Sequence, residues 1–150
     1  MTLEEKLQNF IDRVGDKSIE EKRLLHYKTV INITNRVTNS KHSKTKELKK
    51  NLCDYFNELE ELNYTVEDKL TSAQIHKYLL PVIQFLIKKE DFKTPGDLHI
   101  FIFLGLTIDI ILYFILTNYY YPIFISIFTL LGFQRRIEAK KTNTYAAMYW

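Results

Sequence analysis

A single carboxyl, Asp109, stands inside the longest apolar run of this chain, Leu98 to Phe133, with His99 at its edge. A carboxyl in hydrocarbon is costly and is placed for a reason. It can serve an ion, proton or partner contact. It can also link helices by hydrogen bonding to Thr129, Thr107 or a backbone carbonyl. Two helices cannot enclose a pathway, so conduction through such a segment would require several copies.

The other reactive residue types are sparse. His26, His42, His76 and His99 show no metal-ligand spacing, so neither a metal nor a cofactor is expected. Cys53 is the only cysteine, which rules out an intramolecular disulfide; with no adjacent His or glycine-rich helix start, it reads as a packing residue. No nucleophile–base pair or carboxylate pair can be picked out, so no catalytic residue is assigned and the chain is not expected to be an enzyme.

Two charge runs remain. Arg36, Lys41, Lys44, Lys46, Lys49 and Lys50 form a basic patch, and Asp54, Glu58, Glu60, Glu61, Glu67 and Asp68 form an acidic one. On one helix this order opposes the macrodipole. A solvated face is the plain reading. Anionic lipid heads, a nucleotide or nucleic-acid ligand, and head-to-tail pairing of copies are the functional ones. Missing aromatic interleaving argues against nucleic acid.

The elements that would position these groups read as all-α. Thr2 with Glu5 and Ser18 with Glu21 have capping-box spacing. Leu3, Leu7, Phe10, Ile11 and Val14 recur at helical spacing up to Gly15. A second helix would carry Leu24, Tyr27, Val30, Ile31 and Val37. A third, about Lys44 to Leu62, places Leu48, Leu52, Tyr55, Leu59 and Leu62 on a narrow coiled-coil-like seam. A fourth would begin near Ser72, with Pro81 kinking or restarting it. The competing reading makes Val30-Ile31-Asn32-Ile33 a strand. Asn32-Ile33-Thr34 and Asn63-Tyr64-Thr65 match the glycosylation sequon, which a cytoplasmic topology makes irrelevant.

The apolar run is too long for one helix: it would reach roughly 50 Å, against about 30 Å for a bilayer core. It breaks at Thr117-Asn118-Tyr119-Tyr120-Tyr121-Pro122, so two transmembrane helices, about 98–117 and 119–134, are expected as a hairpin. A cytoplasmic helical domain (1–93, about four helices) would precede the hairpin segment (94–134), and a basic, aromatic tail (135–150) would come after it. With the turn centred near Tyr119, Asp109 comes level with Thr129, and Gly105 lies near Gly132. Small and polar faces of this kind pack helices in lipid.

Charge distribution sets the direction. Residues 1–97 carry 17 basic and 16 acidic side chains, and the tail from Gln134 has four basic residues against Glu138. Lys88, Lys89 and Lys93 precede the hairpin, Arg135, Arg136, Lys140 and Lys141 lie after it, and its loop has no cation. The positive-inside rule puts both termini in the cytoplasm of a multi-pass plasma (inner) membrane protein. The N-terminus lacks a secretory pattern, so the hairpin would direct insertion. The layout is that of many small bacterial two-pass proteins. The expected function is non-enzymatic: a helical domain that binds a partner or self-associates at the membrane, with lipid as the other partner. The alternative is an oligomeric pore or membrane-disrupting effector gated by the cytoplasmic domain.

Overall fold

The computed structural model describes residues 1–65, 73–116 and 121–146. Among these the chain is helical, without strands; one isolated bridge pairs Lys93 with Tyr145. The described residues form seven α-helices: α1 (Leu3–Val14), α2 (Ile19–Leu24), α3 (Tyr27–Asn39), α4 (Thr45–Glu61), α5 (Leu80–Lys89), α6 (Pro95–Leu116) and α7 (Phe124–Lys141). The chain divides into two compact units, Met1–Phe92 and Lys93–Trp150.

Both capping boxes form. Thr2 accepts from the Glu5 amide at 3.2 Å while Glu5 accepts from the Thr2 amide at 2.8 Å, and Ser18 and Glu21 repeat the exchange. Ser18, with Lys17, holds the Glu21 carboxyl down at about 2. The expected second helix is two helices. His26 adopts φ 49°, in the left-handed region, and breaks the run between α2 and α3. The break lets Leu25 turn fully inward while Leu24 stays exposed. No Gly or Pro marks it; His tolerates this conformation better than bulky residues do. Residues Val30 to Ile33 lie inside α3, so the strand reading fails.

The expected start of the fourth helix at Ser72 lies outside the described residues. The segment Ile75–Leu79 is a π-helical turn, in which the Leu80 amide reaches back to the Ile75 carbonyl. Pro81 supplies the cause: it cannot donate, and its ring would strike a carbonyl one α-turn back. The turn widens, and α5 starts on the far side.

The first unit packs α1 against α3 and α4 around Phe10, which is fully buried, and α5 against α3 and α4. Its ring lies 5.6 Å from Tyr27, 5.6 Å from Phe56 and 6.3 Å from Tyr64, centre to centre. The seam on α4 belongs to this core. Leu48, Leu52, Tyr55 and Leu59 are buried, and Phe56 joins them, widening the stripe to a core-facing one. It is therefore not a free surface for a partner helix.

Tertiary contacts also account for the reversed charge order of α4. At its acidic end Glu58 receives Lys77 Nζ at 3.1 Å and the Tyr78 hydroxyl. Glu60 accepts from Asn9 at 2.8 Å and faces buried Lys6 at 3.9 Å. Across α3 and α5, Arg36 pairs with Glu90 at 2.7 Å, and Ser40 donates to Glu90 at 2.9 Å. The Tyr78 hydroxyl lowers the Glu58 pKa and the Ser40 hydroxyl that of Glu90, with the paired cations adding to both.

Both carboxyls thus titrate lower folded than unfolded. The stability they contribute is whole above the ordinary carboxylate value of 4.5, and it drains away as pH falls through their folded values. The melting temperature of the full chain, monitored by near-ultraviolet dichroism, is expected to fall on acidification below that value. Glu58→Gln with Glu90→Gln should flatten the fall; an unchanged acid slope in the double variant would refute the assignment.

Candidate functional site

In the second unit α6 and α7 pack against each other antiparallel, with Leu98 and Phe101 beside Gly132 and Gly105 beside Phe124 and Ile125. Only Gly105 and Asp109 are buried on α6, and only Gly132 and Ala139 on α7. Most of the remaining surface of α6 is apolar and outward, including Ile100, Phe103, Leu104, Ile111 and Phe114. Among the described residues α6 alone is long and apolar enough to cross a membrane, and 11% of its most apolar window is buried. The expected pair of spans is thus one such helix and a shorter partner. The apolar part of α7 is Phe124–Phe133, after which come Gln134, Arg135 and Arg136.

Asp109 is 5% exposed and turned onto the start of α7. Its Oδ1 accepts the Phe124 amide at 3.1 Å and its Oδ2 the Ile125 amide at 2.8 Å. The first amides of a helix have no partner within it. Here the local sequence, Tyr121-Pro122-Ile123, offers no capping side chain. The Ser126 and Ile127 amides both turn to the Ile123 carbonyl at 3.1 Å. Asp109 supplies the other two acceptors from the neighbouring helix. It caps α7 in trans and sits at the positive end of its dipole.

Thr129 is not the partner that the expected register implied. It lies one helical turn further along α7 and donates to its own Ile125 carbonyl at 2.6 Å. Thr107 likewise bonds back to Phe103 at 2.8 Å. The physical reason is where the returning helix begins: α7 starts at Phe124, not at Tyr119. Tyr119 and Tyr120 lie outside the described residues. Gly105 and Gly132 do stand on the contact face. A Cβ at Gly105 would lie 2.8 Å from the Ile125 Cα; one at Gly132 would lie 2.7 Å from the Leu98 Cδ1.

At the other end of the pair, basic residues gather on aromatic faces. The Arg135 guanidinium lies 5.0 Å from the Phe101 ring centre, and Arg136 and Lys140 lie 5.6 Å and 5.5 Å from that of Tyr145. Lys93 is tied to the tail by its amide to the Thr144 carbonyl at 2.9 Å and its carbonyl to the Ala146 amide at 3.0 Å. Tyr145 and Ala146 are buried; the aromatic end of the tail, Met148 to Trp150, lies outside the described residues. Lys141 is exposed. Lys88 and Lys89 end α5, in the first unit, and are exposed.

The basic patch on α3 and α4 is partly consumed. Arg36 is paired with Glu90, and Lys49 donates to the Thr38 carbonyl at 3.3 Å. Lys41, Lys44, Lys46 and Lys50 remain exposed. Burial pushes the Cys53 thiol up, which suits a packing residue and not a nucleophile. Glu67 and Asp68 of the acidic run lie outside the described residues.

The first unit also holds a feature that residue spacing does not announce. A cavity of about 530 Å³ opens between α1 and the end of α4, lined by Asn9, Arg13, Lys17, Glu60, Asn63 and Tyr64. Tyr64 is 5% exposed, and its hydroxyl is buried without a hydrogen-bond partner. Asn63 and Tyr64 both take positive φ, 49° and 54°. The turn-competent Asn63 was the available signal; two successive left-handed residues, one aromatic, are not written in it. No cluster of three or more His, Cys, Asp or Glu able to hold a metal occurs among the described residues. Comparison with protein-family models, with curated proteins and with solved structures finds no match to this chain.

Proposed function

We propose that the chain is a non-enzymatic membrane protein whose helical N-terminal unit is held at the cytoplasmic face by the α6–α7 pair, where it binds a protein partner or a second copy. The observation that carries this is the exterior of α6: apolar nearly all round beyond its first turn, with Asp109, the carboxyl inside that apolar stretch, turned inward onto α7. A core helix is mostly buried; this one is not. An apolar surface of this extent is stable against lipid and not against water.

On this reading α7 begins part-way through the hydrocarbon layer. Non-helical backbone at that depth is tolerated only where its polar groups are satisfied. Asp109 satisfies two of them, which favours the linking role over ion conduction. The cations Lys93, Arg135 and Arg136 share one end of the pair, and the return from α6 to α7 has none. By the positive-inside rule that end is cytoplasmic. With the α4 seam committed to the core, the surfaces left for a partner are the exposed lysines of α4 and the recess beside Tyr64.

The test is reconstitution of the full chain into dye-loaded vesicles, with alkaline-carbonate extraction of the expressing membranes. Retention in the membrane pellet with dye held inside is the expected result. Release by carbonate would overturn the membrane reading. Dye leakage abolished by Asp109→Leu would replace the anchor with an oligomeric pore.

A further inference from the structure

We propose that the cleft at the basic end of the α6–α7 pair is a binding site for the phosphate of an anionic phospholipid headgroup. The inference rests on the membrane reading and goes beyond it, because general attraction to a charged surface needs no site. The cleft is lined by Lys93, Thr94 and Asp97 from the start of α6 and by Gly132, Arg135 and Arg136 from α7; Leu98 and Phe101 also line it.

Three cations therefore converge there with one acid, and that acid is committed. Asp97 accepts from the Thr94 amide and from the Thr94 hydroxyl at 3.3 Å, forming the cap of α6. Arg136 Nε is buried without a hydrogen-bond partner. A buried donor in that state calls for an acceptor. The two guanidinium groups are oriented in advance, Arg135 on Phe101 and Arg136 on Tyr145, so less freedom is lost when they grip an anion. A guanidinium fork matches phosphate oxygens in pairs.

The surroundings select a lipid over a free anion. The cleft opens at the end where the apolar face of α6 begins, with Ile100 and Phe103 outward just beyond it. A phosphate held here leaves its acyl chains to run along that face. Gly132 stands in the helix contact at this level: a Cβ there would lie 2.7 Å from the flexible tip of Leu98 and 3.2 Å from the Phe101 Cβ.

The experiment is native mass spectrometry of the full chain released from nanodiscs of mixed phosphatidylcholine and phosphatidylglycerol, with phosphatidylcholine alone as reference. The chain is expected to retain phosphatidylglycerol. Arg135→Gln with Arg136→Gln should lower the retained fraction roughly ten-fold. Lys88→Gln with Lys89→Gln removes the same charge outside the cleft and should leave it unchanged. Arg135→Lys with Arg136→Lys keeps the charge, loses the fork and should fall in between. Equal retention in the arginine-to-glutamine variant and wild type, or equal loss in both glutamine variants, overturns the site. Displacement of the lipid by millimolar inorganic phosphate would make it a free-anion site and overturn the lipid assignment. A chain that never enters the nanodisc ends the membrane reading as well; one that enters without preferring the anionic lipid ends only this proposal.

Discussion

Replacing Asp109 with leucine is expected to strip the Phe124 and Ile125 amides of their acceptors and to loosen α7 from α6. Each hydrogen bond to a carboxyl is worth about 1.5–3 kcal/mol, and less on the proposed membrane reading, so the pair should cost roughly 2–4 kcal/mol. Leucine is apolar but places a branched side chain against backbone that lies within hydrogen-bond distance of Asp109 now. Nothing local can take over, because Tyr121-Pro122-Ile123 holds no capping side chain. Asp109→Asn keeps one oxygen acceptor and should cost about half as much. Amide exchange at Phe124 and Ile125 in micelles reads the effect directly. Protection that survives in the leucine variant would show that the carboxyl does not cap α7.

Gly105→Ala is expected to separate the helices, whereas Gly132→Ala should be nearly neutral. The two glycines look alike in the sequence and differ in what a methyl would meet. At Gly105 it meets the Ile125 Cα at 2.8 Å and the Phe124 carbonyl oxygen at 2.9 Å, both backbone. Backbone of a packed helix cannot step aside, and overpacking of this kind costs about 1–3 kcal/mol. At Gly132 the closest atom is the tip of Leu98, which can swing away, although Phe101 leaves little further room. Alanine also stabilises a helix over glycine by about 1 kcal/mol, which offsets the crowding at Gly132 and not at Gly105. Thermal unfolding of the full chain in detergent should rank Gly105→Ala well below both wild type and Gly132→Ala. Equal melting of the two variants would contradict the contact geometry.

These residues mark how far the sequence could be read. That Gly105, Asp109 and Gly132 share an inward face comes from helical spacing and from the cost of a carboxyl in an apolar run. The partner of Asp109 could not be read, because register depends on the length of the return between helices. A shift of one turn exchanged Thr129 for two backbone amides. Loop length leaves no periodic trace, and a cap contributed by another helix leaves no local motif.

The same division runs through the first unit. Capping boxes, helix spacing and the disruption at Pro81 are short-range physics, so Thr2 with Glu5, Ser18 with Glu21, and the α4 stripe could be read directly. The left-handed turns at His26 and at Asn63-Tyr64 could not, because they are imposed by what must be buried around Phe10. The charge order of α4, unfavourable on an isolated helix, is answered by Lys6 and Lys77 from other elements.

Sequence by itself determined that the chain is helical, that its charges stop where a long apolar run begins, and that one carboxyl lies within that run. These are properties of neighbouring residues and of their spacing along a helix. Tertiary structure alone decided that the α4 seam is core, that the Tyr64 hydroxyl is buried beside a cavity, and that Asp109 caps the helix returning beside it. Those depend on which distant groups meet, and the energy of an unsatisfied amide or a crowded methyl exists only once they do.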